Sequence, residues 1–123
     1  MNLYASREDY LEAILVLYKK FGSVRSVDIA RHMGVSKPSV CHAVNVLCDG
    51  GFLTKDDKHF ISLTEEGRKV AEKIYERHKF FKEQLISAGV RPNIAETEAC
   101  RIEHCISDES FLKLKQHHEK DKG

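Results

Sequence analysis

Apolar residues recur at helical spacing through most of the chain. Tyr10, Leu11, Ile14, Leu15, Leu17 and Tyr18 fall on one face of a first helix, and Ser6 with Asp9 three residues later gives it a capping-box-like start. A break at Phe21-Gly22 leads to a second helix, opened by Ser26, which carries Ile29, Ala30 and Met33 inward and stops at Gly34. A third begins at Ser36. It holds Pro38 near its first turn, where the missing N–H does no harm, repeats Val40, Val44 and Leu47 at helical spacing, and ends at Gly50-Gly51. The period then changes. Phe52 to Lys55, a polar Asp56-Asp57-Lys58 turn, and His59 to Leu63 with Phe60, Ile61 and Leu63 together predict a β-hairpin.

The remainder reads as helix. Thr64, followed by Glu65 and Glu66 where the helix dipole favours acids, opens a long helix that runs to about Ala88 and stops at Gly89, with Val70, Ile74, Phe81 and Leu85 apolar. After Arg91-Pro92 a further helix should carry Ile94 to Ile106, and a short one should follow Ser107-Asp108 through Leu114. The tail from Gln116 to Gly123 is polar and reads as frayed. The fold class is therefore mainly α: an N-terminal winged helix-turn-helix with a small β-hairpin wing over residues 1–63, then a helical domain over 64–123.

Composition narrows this little. With 41% hydrophobic and 32% charged residues among 123, the balance is that of a soluble globular chain. No apolar run approaches the roughly 18 residues of a membrane span, and Met1-Asn2-Leu3-Tyr4 does not open a signal peptide, so the expected location is cytoplasmic. A net charge of +1 gives no global case for nucleic acid; any such case rests on where the basic residues lie. Cys41, Cys48, Cys100 and Cys105 form no CxxC pair, and a reducing compartment argues against a disulfide framework.

In a helix-turn-helix the second helix enters the major groove with its N-terminal residues at the base edges. Ser36, Lys37, Pro38, Ser39 and His42 occupy that position. Lys37 suits phosphate or guanine, Ser39 and His42 suit base edges, and Arg25, Arg31, Lys55 and Lys58 can neutralise phosphates on either side. A serine-capped helix after a glycine is also an ordinary helix corner. The hairpin that follows decides between the two, since three helices and a hairpin in this order are the winged arrangement. Cys41 and Cys48 read as buried or half-buried small residues of the same helix.

Cys100, Glu103 and His104 stand at i, i+3 and i+4 in the expected helix and so project from one face. Thiolate, carboxylate and imidazole together suit iron, cobalt, nickel or zinc better than magnesium or calcium. Asp9 and Glu12 stand one turn apart on the first helix at the margin of its buried face, and His78 on the long helix is the remaining candidate. Singly, each has a plain structural reading: a core cysteine, a satisfied histidine, an acidic first turn. Jointly, three helices offering inward or marginal ligands are costly unless a cation compensates the charge. Cys100 and Cys105 lie about 140° apart on a helix, which disfavours a disulfide. For His32, His42, His59, His117 and His118 the sequence suggests no acidic or thiol group placed as a co-ligand, and the last two read as solvated tail. A metalloenzyme with Glu103 or Glu12 as base is the competing class, but no nucleophile with its base and no glycine loop shaped for a substrate accompanies the cluster, so no enzyme is expected.

The chain resembles the diphtheria toxin repressor and manganese transport regulator family of metal-dependent bacterial repressors. The resemblance runs from Glu8-Asp9-Tyr10-Leu11-Glu12 through Asp28-Ile29-Ala30, Ser36-Lys37-Pro38-Ser39-Val40, Leu63-Thr64-Glu65-Glu66-Gly67 and Arg77-His78 to Glu98-Ala99-Cys100-Arg101-Ile102-Glu103-His104. It implies a homodimer whose C-terminal region binds metal and dimerises, and which grips palindromic double-stranded DNA when metal-loaded. Carried over by position, Asp9, Glu12, His78, Glu103 and His104 match ligands of the manganese branch. Cys100 matches the iron branch, whereas Asp9 stands where that branch has methionine. The iron branch's ancillary site falls on Lys82 and Glu96, so it is absent or rebuilt with Glu83 or Glu96, and the chain stops where that branch often continues into an SH3-like domain. Fe(II) is the expected metal on the strength of Cys100, Mn(II) is the alternative, and Co(II), Ni(II) or Zn(II) are possible substitutes.

Overall fold

A computed structural model describes residues 7–122 and resolves two compact units, Met1–Lys73 and Ile74–Gly123. The proposed Ser6 cap lies outside the described residues. The element order is α1 (Arg7–Phe21), α2 (Ser26–Met33), α3 (Lys37–Asp49), β1 (Leu53–Lys55), β2 (Ile61–Leu63), α4 (Glu65–Ser87), α5 (Pro92–Ile102) and α6 (Asp108–Lys122).

The first unit is built around Leu11, Ile14, Leu15 and Leu17 of α1, Ile29 of α2, Val40, Val44 and Leu47 of α3, and Val24, Leu53 and Ile61 from the connecting segments and hairpin. The helix positions Leu11, Ile14, Leu15, Leu17, Ile29, Val40, Val44 and Leu47 follow the predicted periodicity, whereas Tyr18 is exposed with the rest of the last turn of α1, Ala30 and Met33 are only half-buried, and Val24 and Leu53 join the core without having been predicted. Gly34 closes α2 in the left-handed conformation, and its N–H bonds back to Ala30. Two residues on, the Ser36 hydroxyl accepts from the Ser39 N–H and so caps α3, with Pro38 in its first turn.

The hairpin is two three-residue strands, antiparallel, with Leu53 opposite Leu63 and Lys55 opposite Ile61. Its turn is folded around Asp56, whose Oδ1 accepts from the N–H groups of Lys58 and Phe60, both at 2.9 Å. The Ile61 N–H donates to the Val24 carbonyl, and the Arg25 guanidinium lies 4.3 Å over the Phe60 ring, so the wing is tied to the segment that opens α2.

Thr64 joins the hairpin to α4. Its N–H donates to Phe52, its hydroxyl donates to the Gly51 carbonyl, and its Oγ1 accepts from Gly67 N–H. Gly67 is buried so tightly that a Cβ there would meet the Phe52 carbonyl oxygen at 2.0 Å. Gly67→Ala is therefore expected to destabilise the protein by about 1–3 kcal/mol despite alanine's better helix propensity. A urea midpoint equal to or above the parent's would contradict this packing.

In the second unit Ile74, Ala95, Ala99 and Phe111 are buried, and Phe80 packs edge-on against both Phe81 and Phe111 at 5.3 and 5.4 Å. Two expectations fail here. The helix expected to reach Ile106 stops at Ile102, because the Arg77 guanidinium takes the carbonyls of Glu103 and Ile106 while the Ser107 hydroxyl caps a new helix by accepting from Ser110 N–H. The expected frayed tail is the second half of α6. His118 lies edge-on to Phe80 at 5.7 Å and within hydrogen-bond distance of Gln84, and Lys115 pairs with Glu76, so α6 is fastened to α4 along its length.

Candidate metal centre and nucleic-acid interface

In the second unit, α4 supplies His78 and α5 supplies Cys100, with Glu103 at the C-cap of α5. One donor atom from each of the three lies within 4.8 Å of the others. His78 Nδ1 is 2.9 Å from Glu103 Oε2 and 3.6 Å from Cys100 Sγ, while Nε2 faces Glu96 Oε1 at 3.0 Å. The hydrogen bond to the Cys100 sulfur, then that to Glu103, push the His78 imidazole up to about 11 against the opposing effect of burial.

Around His78 lies a supporting layer of Glu96, Lys82 and Arg77. Glu96 turns its second oxygen to Lys82 Nζ at 2.8 Å. Burial pushes the Glu96 carboxyl up, but the hydrogen bonds and positive charges of Lys82 and His78 outweigh it and hold the group below the usual range; Glu96 in turn raises Lys82. Arg77, only 5% exposed, donates from Nη1 to the carbonyls of Glu103 and Ile106 and from Nη2 to Asp108, pinning the turn that carries Glu103 and His104. The only sequence signal for this was an arginine directly before a candidate ligand histidine.

Glu103 is 0% exposed. Its Oε1 has no hydrogen-bond donor among the described residues, although His104 Nε2 stands 3.3 Å away. A buried carboxylate oxygen left so is costly, and a divalent ion would satisfy it. Sulfur, imidazole nitrogen and carboxylate oxygen are donors for a transition metal, so the residues present fit one. His104 lies in the turn beyond α5, not one turn along the same helix as the spacing argument supposed. Asp9 and Glu12 stand one turn apart on α1, both half-buried.

In the first unit α3 buries Val40, Val44 and Leu47 and exposes Lys37, Pro38, Ser39, Cys41, His42 and Asn45. Cys41 is thus exposed, not buried or half-buried as expected, because it lies at the flank of the stripe formed by Val40, Val44 and Leu47, about 100° round the helix from Val40. Ser36 is also exposed, but its hydroxyl is engaged with Ser39 at 2.8 Å, so its role is first to cap the helix. Asn45 was missed; it follows His42 by three residues and offers both a donor and an acceptor to a base edge. Arg7, Tyr10, Pro38, Ser39, His42, Ala43 and Val46 line an open hollow between α1 and α3. Arg25, Arg31, Lys55 and Lys58 are exposed.

Residues 2–59 match the N-terminal DNA binding domain of iron dependent repressors, and residues 64–120 match their metal binding and dimerisation domain. The chain belongs to the iron dependent repressor family. Members of this family are metal-dependent transcriptional regulators, not enzymes. The transcriptional regulator MntR of Salmonella typhimurium is 37% identical over 114 residues, covering 90% of this chain and 73% of its own. The solved structure of the manganese regulator SloR superposes with a TM-score of 0.83 at 27% identity, over 94% of this chain and 54% of its own. The apo form of the manganese-activated repressor ScaR gives 0.72 at 29% identity, over 88% and 52%. This family member therefore spans about half the length of these two solved structures. Among the described residues no helix is long and apolar enough to cross a membrane.

Proposed function

We propose that this family member is a cytoplasmic, homodimeric DNA-binding repressor of metal homeostasis that responds to Mn(II). The observation that carries the metal reading is the convergence of His78, Cys100 and a fully buried Glu103 on one spot. These three, with His104 beside Glu103, are the residues of the second unit that would hold the ion. The family resemblance adds Asp9 and Glu12. Residues 1–63 form the DNA-binding region and 64–123 the metal-binding and dimerisation region. Lys37, Pro38, Ser39 and His42 meet the major groove of a palindromic operator. Ser36 holds that helix start, and Arg25, Lys55 and Lys58 contact phosphate. Bound metal supplies the cation that compensates the clustered donors, and whatever arrangement of the protein binds it more tightly gains population in proportion.

Similarity to SloR and ScaR, both described as manganese regulators, supports Mn(II) over the iron expected from the sequence. Asp9, a hard oxygen donor, points the same way. Fe(II) is the second reading, favoured specifically by the Cys100 sulfur. Anaerobic titrations of Mn(II) and Fe(II) into protein with labelled duplex DNA separate the two. Mn(II) is expected to drive DNA binding at the lower free concentration, and Cys100→Glu to widen that preference. Fe(II) acting at the lower free concentration would reverse the choice of metal while leaving the repressor reading intact.

A further inference from the structure

We propose that Glu96 and Lys82 are positioning residues that orient His78, so that its Nδ1 faces the metal while its Nε2–H is held by Glu96. This rests on the metal reading above and adds which ring atom ligates and what holds the ring. The ring is gripped at both ends: Nδ1 lies 2.9 Å from Glu103 Oε2 and 3.6 Å from Cys100 Sγ, and Nε2 lies 3.0 Å from Glu96 Oε1. Only the Nδ1 side meets the two other donors. On the far side Glu96 is fully engaged, one oxygen with His78 and the other with Lys82 Nζ at 2.8 Å. Glu96 is therefore not a spare ligand. It accepts from Nε2–H, which fixes the tautomer whose free lone pair is on Nδ1 and makes that nitrogen a better donor, the role a carboxylate commonly plays behind a ligating histidine.

Lys82 completes the chain. Glu96 is 49% exposed at its side chain and sits on a different helix from His78, so without a tether it has solvent-facing alternatives. The Lys82 ammonium, one turn along α4 from His78, draws the carboxylate over the imidazole edge and balances its charge.

The test uses the full chain labelled with ¹⁵N at histidine and titrated with ¹¹³Cd(II). A one-bond cadmium coupling to His78 Nδ1, with Nε2 protonated, is the expected result. Glu96→Ala should weaken cadmium affinity about 10- to 100-fold. Glu96→Gln, whose side-chain carbonyl still accepts from Nε2–H, should recover part of that loss, and Lys82→Met should fall between the parent and Glu96→Ala. Metal-free melting followed by circular dichroism separates these effects from unfolding, since an exposed carboxylate adds little to the fold. Coupling through Nε2, or parental affinity in Glu96→Ala, overturns the inference and leaves the metal site standing. Cadmium bound with no coupling to His78 overturns the ligand set itself, and the inference with it.

Discussion

Methionine in place of Arg77 is expected to lower the stability of the protein by about 2–4 kcal/mol and its melting temperature by roughly 10 °C. The guanidinium is buried, and truncating it leaves the Glu103 and Ile106 carbonyls without their donors. Each such loss costs about 1–3 kcal/mol where water cannot replace the donor. The pairing with Asp108 contributes less, because that carboxylate's side chain is 73% exposed. Asp108→Asn should accordingly change stability by less than about 1 kcal/mol. Since the same contacts hold the turn bearing Glu103 and His104, Arg77→Met should also weaken metal binding measured below its melting point. A variant that melts like the parent would mean that the turn is held by other contacts.

Metal affinity is expected to rise about tenfold per pH unit from pH 6.5 to 8.5, with at least one proton released per ion bound. The cause is His78. With its metal-free value pushed up to about 11, the imidazole is protonated throughout that range and must lose a proton before a ring nitrogen can ligate. Calorimetric titrations in buffers of different ionisation enthalpy count that proton directly, and a flat pH profile would contradict the argument. The metal-free fold should show the opposite trend. A histidine raised above its unfolded value of 6.5 contributes stability that is fully present below pH 6.5 and is lost as pH rises through about 11. Metal and proton therefore compete for one place, and the stabilisation a metal gives should grow as the pH rises.

Much of the fold was legible in the residues, and the reasons are local. Gly34, Ser36, Pro38 and Asp56 each act within about four residues, so their turns and caps can be read from the chain. Where the reading failed, a distant side chain had decided the outcome. Nothing near Ile102 ends α5. Arg77, 26 residues before Glu103, takes the carbonyls on which a continuing helix would depend. In the same way the polar segment after Leu114 has no apolar stripe of its own to predict α6, and its order comes from Phe80, Gln84 and Glu76 on α4.

The candidate site divides along the same line. His78, Cys100 and Glu103 were found from residue chemistry and spacing, and they do converge. His104 was placed on the right stretch for the wrong reason, since it sits in a turn. Glu96 and Lys82 were considered only as positions of a degraded second site, because their link to His78 depends on how α4 and α5 pack. Spacing along one helix carries no information about its neighbour.

The most direct measurement is the fluorescence anisotropy of a labelled operator duplex titrated with protein, with and without Mn(II), for the parent chain and for Glu103→Ala. Metal is expected to tighten DNA binding by the parent at least about tenfold, a coupling of ~1.4 kcal/mol within the usual allosteric range. Glu103→Ala is expected to bind DNA equally weakly with and without the ion. Equal affinity of the parent in the two conditions would contradict a metal-switched repressor.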